Sequence, residues 1–494
     1  MSRALVSVYD KTGLVEFVGR LVAAGYEIVS SGGTARALSQ AGIPVVPVEE
    51  VTDAPEILGG RVKTLHPKIH GGILARGPVD DDDLEANGIE RFDLVVCNLY
   101  PFRETVADPS ASESDIIEKI DIGGPTMVRA AAKNHRHVGV VVSPEQYDEV
   151  AAAVEAGGLD DDMRRGLAAE AFFHTAAYDA AIVGWIGDDL VLPLRHVAEL
   201  RYGENPHQAG WLYRDEGVPS WWADATQTQG KEMSFNNYVD AEAAWRLACD
   251  LGEDAVAVIK HTNASGAARG GTPAENFALA WDGDPLAAFG SVVGLNGVID
   301  LETARLVSER FVEVVIARGV DEDAAEALAA KTGLRVLVAE APSADSADMR
   351  RVDGGLLVQE RDVVDMEGWE VVSEREPTDV EMSSLRFAWV VAAHTRSNAV
   401  VIVSGNQAVG VGAGDQSRVG AAERAVVKAG DRASGGVAAS DAFFPFRDGL
   451  DTLVAAGVTA VVEPGGSRND QEVIDAADSH GIALVFTHKR HFRH

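Results

Sequence analysis

The chain has 494 residues, enough for roughly three domains, and its hydrophobic fraction of 46% is that of a globular protein. Asp and Glu total 77 against 43 Lys and Arg, a formal charge of −34 that repels nucleic acid and membrane surfaces. No apolar run reaches the ~18 residues that a membrane span needs, and Cys97 and Cys249 are too few for a disulfide framework or a zinc cluster.

The expectation is therefore a cytoplasmic chain with small-molecule partners and no metal. Met1-Ser2-Arg3-Ala4 leads straight into an expected strand, without a signal peptide. The acids alternate with apolar segments, which argues against disorder and for a solvated surface suited to high salt. Asp80-Asp81-Asp82-Asp83 reads as a surface loop, because consecutive loop residues rarely converge on one ion.

In chain order, residues 4–8 predict a buried strand. A helix follows whose Leu14, Val18, Leu21 and Val22 share one face, and Gly25 ends it. Residues 26–29 predict a second strand, running into Ser30-Ser31-Gly32-Gly33-Thr34 and a helix from Ala35. Such a layout binds phosphate: free backbone N–H groups and the helix dipole face the anion, and glycine lets the chain come close. An ordinary strand-to-helix turn looks the same. Gly59-Gly60-Arg61-Val62-Lys63-Thr64-Leu65-His66-Pro67 gathers cations, a hydroxyl and an imidazole in one loop. A strand at 93–97 leads to Asn98-Leu99-Tyr100-Pro101-Phe102, and 120–126 leads into a helix with Arg129 and Lys133 four apart on one face. Polar loops that each follow a strand predict one shared site. The stretch 144–193 predicts acidic helices, with Phe172, Phe173 and Tyr178 as core and no catalytic group.

SGGTA, GGRVKTLHP, CNLYPF and IDIGGPTMVRAAAKNH, in this order, resemble the N-terminal domain of a bifunctional purine-biosynthesis family. That family joins 5-aminoimidazole-4-carboxamide ribonucleotide (AICAR) formyltransferase to inosine monophosphate (IMP) cyclohydrolase. The resemblance implies a methylglyoxal-synthase-like cyclohydrolase domain with a parallel sheet at 1–193. It also implies that Lys63 and Tyr100 handle the oxyanion and the proton, that Asp121 assists the attacking nitrogen, and that Lys133 holds the amide carbonyl or tunes its neighbours. Ser31, Gly32, Gly33 and Thr34, with Arg61 and Thr64, would hold the phosphate. Tyr9 stands where the family more often has a small residue.

Beyond 194, a turn-rich stretch carries Arg201-Tyr202-Gly203-Glu204-Asn205-Pro206-His207-Gln208. Residues 255–258 predict a buried strand ending at Lys260-His261, with Gly266 and Gly270-Gly271 marking a loop. A cation and an imidazole at a strand end suit acid–base chemistry and oxyanion stabilisation; a solvated pair is the plainer account of them alone. Asp284-Pro285-Leu286-Ala287-Ala288-Phe289-Gly290-Ser291 offers an aromatic for ring stacking, and Glu313 is an acid inside an apolar strand that needs a partner. Residues 399–412 predict a hairpin between Asn398 and Arg418. Residues 341–380 predict connecting structure.

The same family is similar here through the R-Y-G-x-N-P-H-Q stretch, the Lys-His motif (with Ala264 in place of its usual proline), Phe289, Ser440 to Asp448, and the terminal Arg490-His491-Phe492-Arg493-His494. The resemblance implies an AICAR transformylase domain at 194–494, made of two cytidine-deaminase-like α/β subdomains without zinc. It makes His261 the base, Lys260 the oxyanion partner, and Asn398 a hydrogen-bond partner of the reacting group. Arg201, Tyr202, Phe289, Gly290, Glu313, Arg418, Arg490 and His494 would bind the nucleotide. Phe443, Pro445, Phe446 and Asp448 would bind the folate of 10-formyltetrahydrofolate, the formyl donor. A homodimer is implied, and a monovalent cation is left open.

The reading requires Lys260 and His261 to face a cavity large enough for a nucleotide and a pterin. Two alternatives stand beside it: a monofunctional cyclohydrolase with a weakened transformylase, and a non-catalytic nucleotide sensor.

Overall fold

Short apolar runs between amphipathic helices can be buried only in a sheet that is covered on its faces. In the computed structural model, which describes residues 2–55, 57–58, 61–343 and 347–494, two compact units solve this differently: Met1–Arg195 and His196–His494. Gly59 and Gly60 of the predicted polar loop lie outside the described residues.

The first unit holds a five-stranded parallel sheet. Its order is Val46–Pro47, Tyr26–Ser30, Ser2–Val6, Leu94–Val96, Gly139–Val141. Strands Ser2–Val6, Leu94–Val96 and Gly139–Val141 are almost wholly buried, so they read as unbroken apolar runs. The chain builds outward from Ser2–Val6 in one direction, then returns to add Leu94–Val96 on its other side. Ligands of open α/β sheets bind at the carboxyl ends of strands at such a reversal.

Two local expectations change. The second helix starts at Gly32, with Ser31 as its N-cap, so the predicted loop is the helix's first turn. Asp81, Asp82 and Asp83 form the first turn of a helix, Asp81–Asn87, not a loop. Acids are stabilised there by the positive end of the helix dipole. The acidic tail of this unit is helical as expected, ending in the long helix Asp161–Ile186.

The second unit is organised on one twelve-stranded sheet that repeats a motif twice. The first copy runs Thr226–Gln229, helix Phe235–Leu251, hairpin Val256–Lys260 with Asn263–Ala268, then strands Ser291–Ile299, Val312–Val320 and Arg335–Val338, with helices between. The second copy runs Glu370–Val371, helix Asp379–Ala393, hairpin Val400–Ser404 with Gln407–Gly412, then strands Val437–Ser440, Ala460–Glu463 and Ala483–Phe486. The two meet where Asn263–Ala268 pairs antiparallel with Gln407–Gly412. Inspection of the sequence shows no such repeat, but one device recurs. A Cβ on Gly266 would stand 2.0 Å from the Ala280 carbonyl oxygen, and one on Gly412 would stand 1.9 Å from that of Ala421. In each copy a glycine in the second hairpin strand lets the next helix close down.

Gly266 is therefore a strand residue at a close approach, not a loop marker, and Ala264 is buried in the same strand. Within 341–380, Asp348–Val352 and Gly355–Gln359 form an exposed hairpin where connecting structure is expected.

Candidate active sites

A cavity of about 560 Å³ lies at the reversal point of the first sheet. Ser7, Val8 and Tyr9 follow one strand into it and Asn98 and Tyr100 follow the other. Ser31, Gly32, Gly33, Thr34, Arg61, Lys63, Thr64, Asp121, Gly123 and Gly124 complete the wall. Five segments distant in sequence thus converge, as predicted for a shared site.

One end of this cavity suits an anion. The N-terminus of helix Gly32–Gln40 opens there, and the Lys63 Nζ lies 3.0 Å from where a Cβ on Gly32 would sit. Gly32 has φ +55°, so a side chain would be both strained and in the way of the ammonium. Thr34 has a different task. Its hydroxyl donates to the Val8 carbonyl at 2.9 Å and accepts from the Val8 N–H at 3.1 Å, tying helix to strand. Arg61 pairs with Glu118.

The other end holds Asp121. Its carboxylate accepts the Gly124 N–H at 2.8 Å, but burial dominates and pushes its pKa up. The Asp121 N–H donates to the Tyr178 hydroxyl at 2.9 Å, and that hydroxyl donates to the Lys119 carbonyl. Burial raises the Tyr178 phenol to about 12, so it stays a donor at neutral pH. Tyr178, expected only as core, is a support for this loop. Its helical spacing carries no signal that separates the two roles. Lys133 does not line the cavity. It is exposed at the C-terminus of helix Gly123–Lys133, whose first turn is the part in the wall; the helix length, ~1.5 Å per residue, separates the two.

In the second unit, strand register does the gathering. Lys260 pairs with Asn263, Ile259 with Val292, Ser291 with Val312, Val400 with Gly412, and Val400 with Ser440. These pairings put Lys260-His261, Phe289-Gly290, Glu313, Asn398, Arg418 and the 441–448 loop at the same end of neighbouring strands in the middle of the sheet.

His261 and Thr262 form the two-residue tip of the first hairpin, both left-handed at φ 51° and 65°. Two positive φ values make the turn that matches strand twist, but its usual residues are Asn and Gly. Asp240, from helix Phe235–Leu251, holds the tip: its carboxylate accepts the Thr262 N–H at 2.7 Å. Lys260 Nζ donates to the carbonyls of Gly290 at 2.6 Å and Phe289 at 3.2 Å, two of the three bonds an ammonium can make. Phe289 is 64% exposed, its ring centre 5.0 Å from that of Phe311. Glu313 finds its partner in Asn237, whose Nδ2 donates at 3.1 Å. The 201–208 loop reaches the same place: Asn236 donates to the Glu204 carbonyl at 3.2 Å, and the Arg201 guanidinium lies over the Tyr202 ring.

Arg418 differs from expectation. It is 7% exposed, ion-paired with Asp441, bonded to the Ala399 carbonyl at 3.1 Å and to Asn398 Oδ1 at 2.7 Å. Its guanidinium orients Asn398 and is committed behind it. Phe443 is half-buried, Phe446 is 55% exposed, and the Asp448 carboxylate, in the first turn of its helix, accepts the Gly449 N–H at 2.7 Å. Arg490 lies over the Phe492 ring.

His494 lines a cavity of about 750 Å³ with Arg246, Arg350, Arg361, Arg396 and Arg493. Lys260 and His261 do not line it. Arg396 joins the two regions: its N–H donates to Asn263 Oδ1 at 2.9 Å, and its side chain to the Thr262 hydroxyl at 3.4 Å and the His494 backbone oxygen. Arg396 and Asp240 are both missing from the sequence reading, which had no means of seeing the tip's neighbours. Among the described residues no cluster of three or more His, Cys, Asp or Glu could hold a metal ion, and no helix is long and apolar enough to cross a membrane.

The fold and sites define a two-unit α/β protein: a parallel sheet with a cavity at its reversal point, and a twelve-stranded sheet built from one motif used twice. A model of the AICARFT/IMPCHase bienzyme matches residues 131–428, and one of the MGS-like domain matches residues 13–126. The chain belongs to the AICARFT/IMPCHase bienzyme family. It is 47% identical over 515 residues to a bifunctional purine biosynthesis protein PurH of Desulfitobacterium hafniense, covering 100% of this chain and 99% of the relative. It is 48% identical over 510 residues to the protein so named from Cyanothece sp., with 99% of each covered. A solved structure titled for ForH is 37% identical over 37% of this chain and 95% of its own, with a TM-score of 0.34.

Proposed function

We infer that this chain carries out the last two steps of IMP synthesis: formyl transfer to AICAR, then dehydrative ring closure. The carrying observation is the 47% identity that runs the whole length of bifunctional relatives, through both units. The two monofunctional and sensing alternatives have no comparable support.

In the first unit the nucleotide phosphate would sit at the N-terminus of helix Gly32–Gln40, against Lys63 and Thr64, with Arg61 at its side. Lys63 and Tyr100 would serve the departing oxygen and the proton, and Asp121 the attacking amide nitrogen. Ring closure is then mostly a matter of orientation and charge stabilisation. Lys133 has no part in this proposal.

In the second unit the aromatic amine of AICAR is a weak nucleophile, so attack needs a base, and His261 is the candidate. General-base help is worth ~10²–10⁴ in rate. The third proton of Lys260 would meet the tetrahedral oxyanion. Phe443, Pro445, Phe446 and Asp448 would take the pterin of 10-formyltetrahydrofolate, with Arg201, Tyr202, Phe289, Gly290, Glu313, Arg490 and His494 on the nucleotide. Arg418 would act through Asn398. A tip at the end of two central strands, lining neither of the two cavities described, suits a site completed by a second copy, so a cytoplasmic homodimer is part of the proposal.

Separate assays test this: AICAR with 10-formyltetrahydrofolate, and formamido-AICAR alone. Lys260→Ala or His261→Ala should abolish the first activity and leave the second. Loss of both in a folded variant would count against two sites.

A further inference from the structure

The mouth of the first-unit cavity carries a feature that none of the roles above uses. The Tyr9 ring meets the Tyr100 ring edge-on, with centres 5.8 Å apart. The Lys119 ammonium lies over both rings, 5.4 Å from the centre of Tyr9 and 5.9 Å from that of Tyr100. Both Tyr9 and Tyr100 line the cavity, yet they are 46% and 41% exposed. An aromatic side chain on an open loop keeps its rotamer freedom unless a neighbour removes it.

The two bracing residues are themselves braced. The Tyr9 N–H donates to Asn98 Oδ1 at 2.6 Å, and the Tyr9 carbonyl accepts from Lys11 Nζ at 3.0 Å. The Lys119 carbonyl is held by the Tyr178 hydroxyl, the same group that receives the Asp121 N–H. Rings attract a cation through their faces and each other edge to face, so the three side chains favour one mutual arrangement.

We infer that Tyr9 and Lys119 are positioning residues for Tyr100: together they fix its ring over the cavity and so set the rate of the cyclisation step. The inference rests on the cyclohydrolase reading of this unit. Loss of either brace should cost orientation in the transition state rather than substrate binding, and so appear in kcat.

The test uses the full chain and formamido-AICAR, with kcat and KM measured separately. Tyr9→Ser and Lys119→Gln should each lower kcat about fivefold with KM little changed, the size that one or two cation–ring contacts can supply. Tyr9→Phe and Lys119→Arg, which keep the ring and the charge, should restore most of the rate. In a Tyr100→Phe background, Tyr9→Ser and Lys119→Gln should cost little more, because their effect passes through the Tyr100 hydroxyl. An unchanged KM for formamido-AICAR and a wild-type circular dichroism spectrum report that the first unit of each variant is folded. An unchanged kcat in both single variants, or an undiminished loss in the Tyr100→Phe background, overturns the inference while the wild type still cyclises. A wild type that does not cyclise sinks the functional reading as well.

Discussion

Glu463 is a carboxyl with almost no water to ionise into. It is fully buried on the last residue of strand Ala460–Glu463, and one of its oxygens accepts the Phe444 N–H at 2.6 Å while the other has no partner. Desolvation pushes its pKa from 4.5 to about 8. Below the unfolded value both states carry the proton, and the group leaves stability unchanged. Between 4.5 and about 8 only the folded state carries it, so stability falls as pH rises, by about 1.4 kcal/mol per unit, and levels off above. Glu463→Gln keeps the acceptor and cannot ionise. Its melting temperature should match the wild type near about pH 5 and exceed it increasingly towards about pH 9; a gap independent of pH would refute the burial argument. At this scale the sequence named which polar residues matter more readily than what they do. Arg418 and Thr34 were legible as special, but their partners, Asp441 with Asn398 and Val8, come from loops about twenty residues or more away in the chain.

The hairpin tip shows what an element can demand of its residues. A two-residue turn with both φ positive places a β-branched Thr262 in a conformation that costs roughly 1–2 kcal/mol. Thr262→Gly should remove that strain, partly offset by a more flexible unfolded chain, for a net gain of about 1 kcal/mol and a rise of a few degrees in melting temperature. Formyl transfer should fall in the same variant, since a freer tip no longer fixes the imidazole beside it. Calorimetry and the transfer assay on one preparation decide it; a gain in both would show that the strain is not functional. The strand that leads into this tip was readable as an apolar run. The second strand was not, because its glycine, needed for contact with Ala280, looks like a loop signal when that helix is out of view.

At the scale of the whole molecule, a charge of −34 must be screened or spread. Many acids are tied to arginines on the surface, as in Arg20 with Glu155 and Arg76 with Asp80, but acids outnumber cations by far. Raising salt from about 0.1 M to about 1 M shortens the screening length from ~10 Å to ~3 Å. Melting temperature and activity should both rise over that range. A flat or falling response would remove the high-salt account of the acidic surface.

What the sequence determined alone was local and chemical: which runs are apolar enough to be strands, where small residues open a helix N-terminus, and which motifs match a family. These survive because they depend on neighbours along the chain. Only the tertiary structure decided that the second unit is one motif used twice, that Lys133 stands away from the cavity while Tyr178 supports it, and that Arg396 links the Lys260 tip to the chain end. Such facts depend on register and on contacts between residues more than a hundred positions apart, as in Arg396 with Thr262, and no periodicity in the sequence encodes which distant partner a strand will choose.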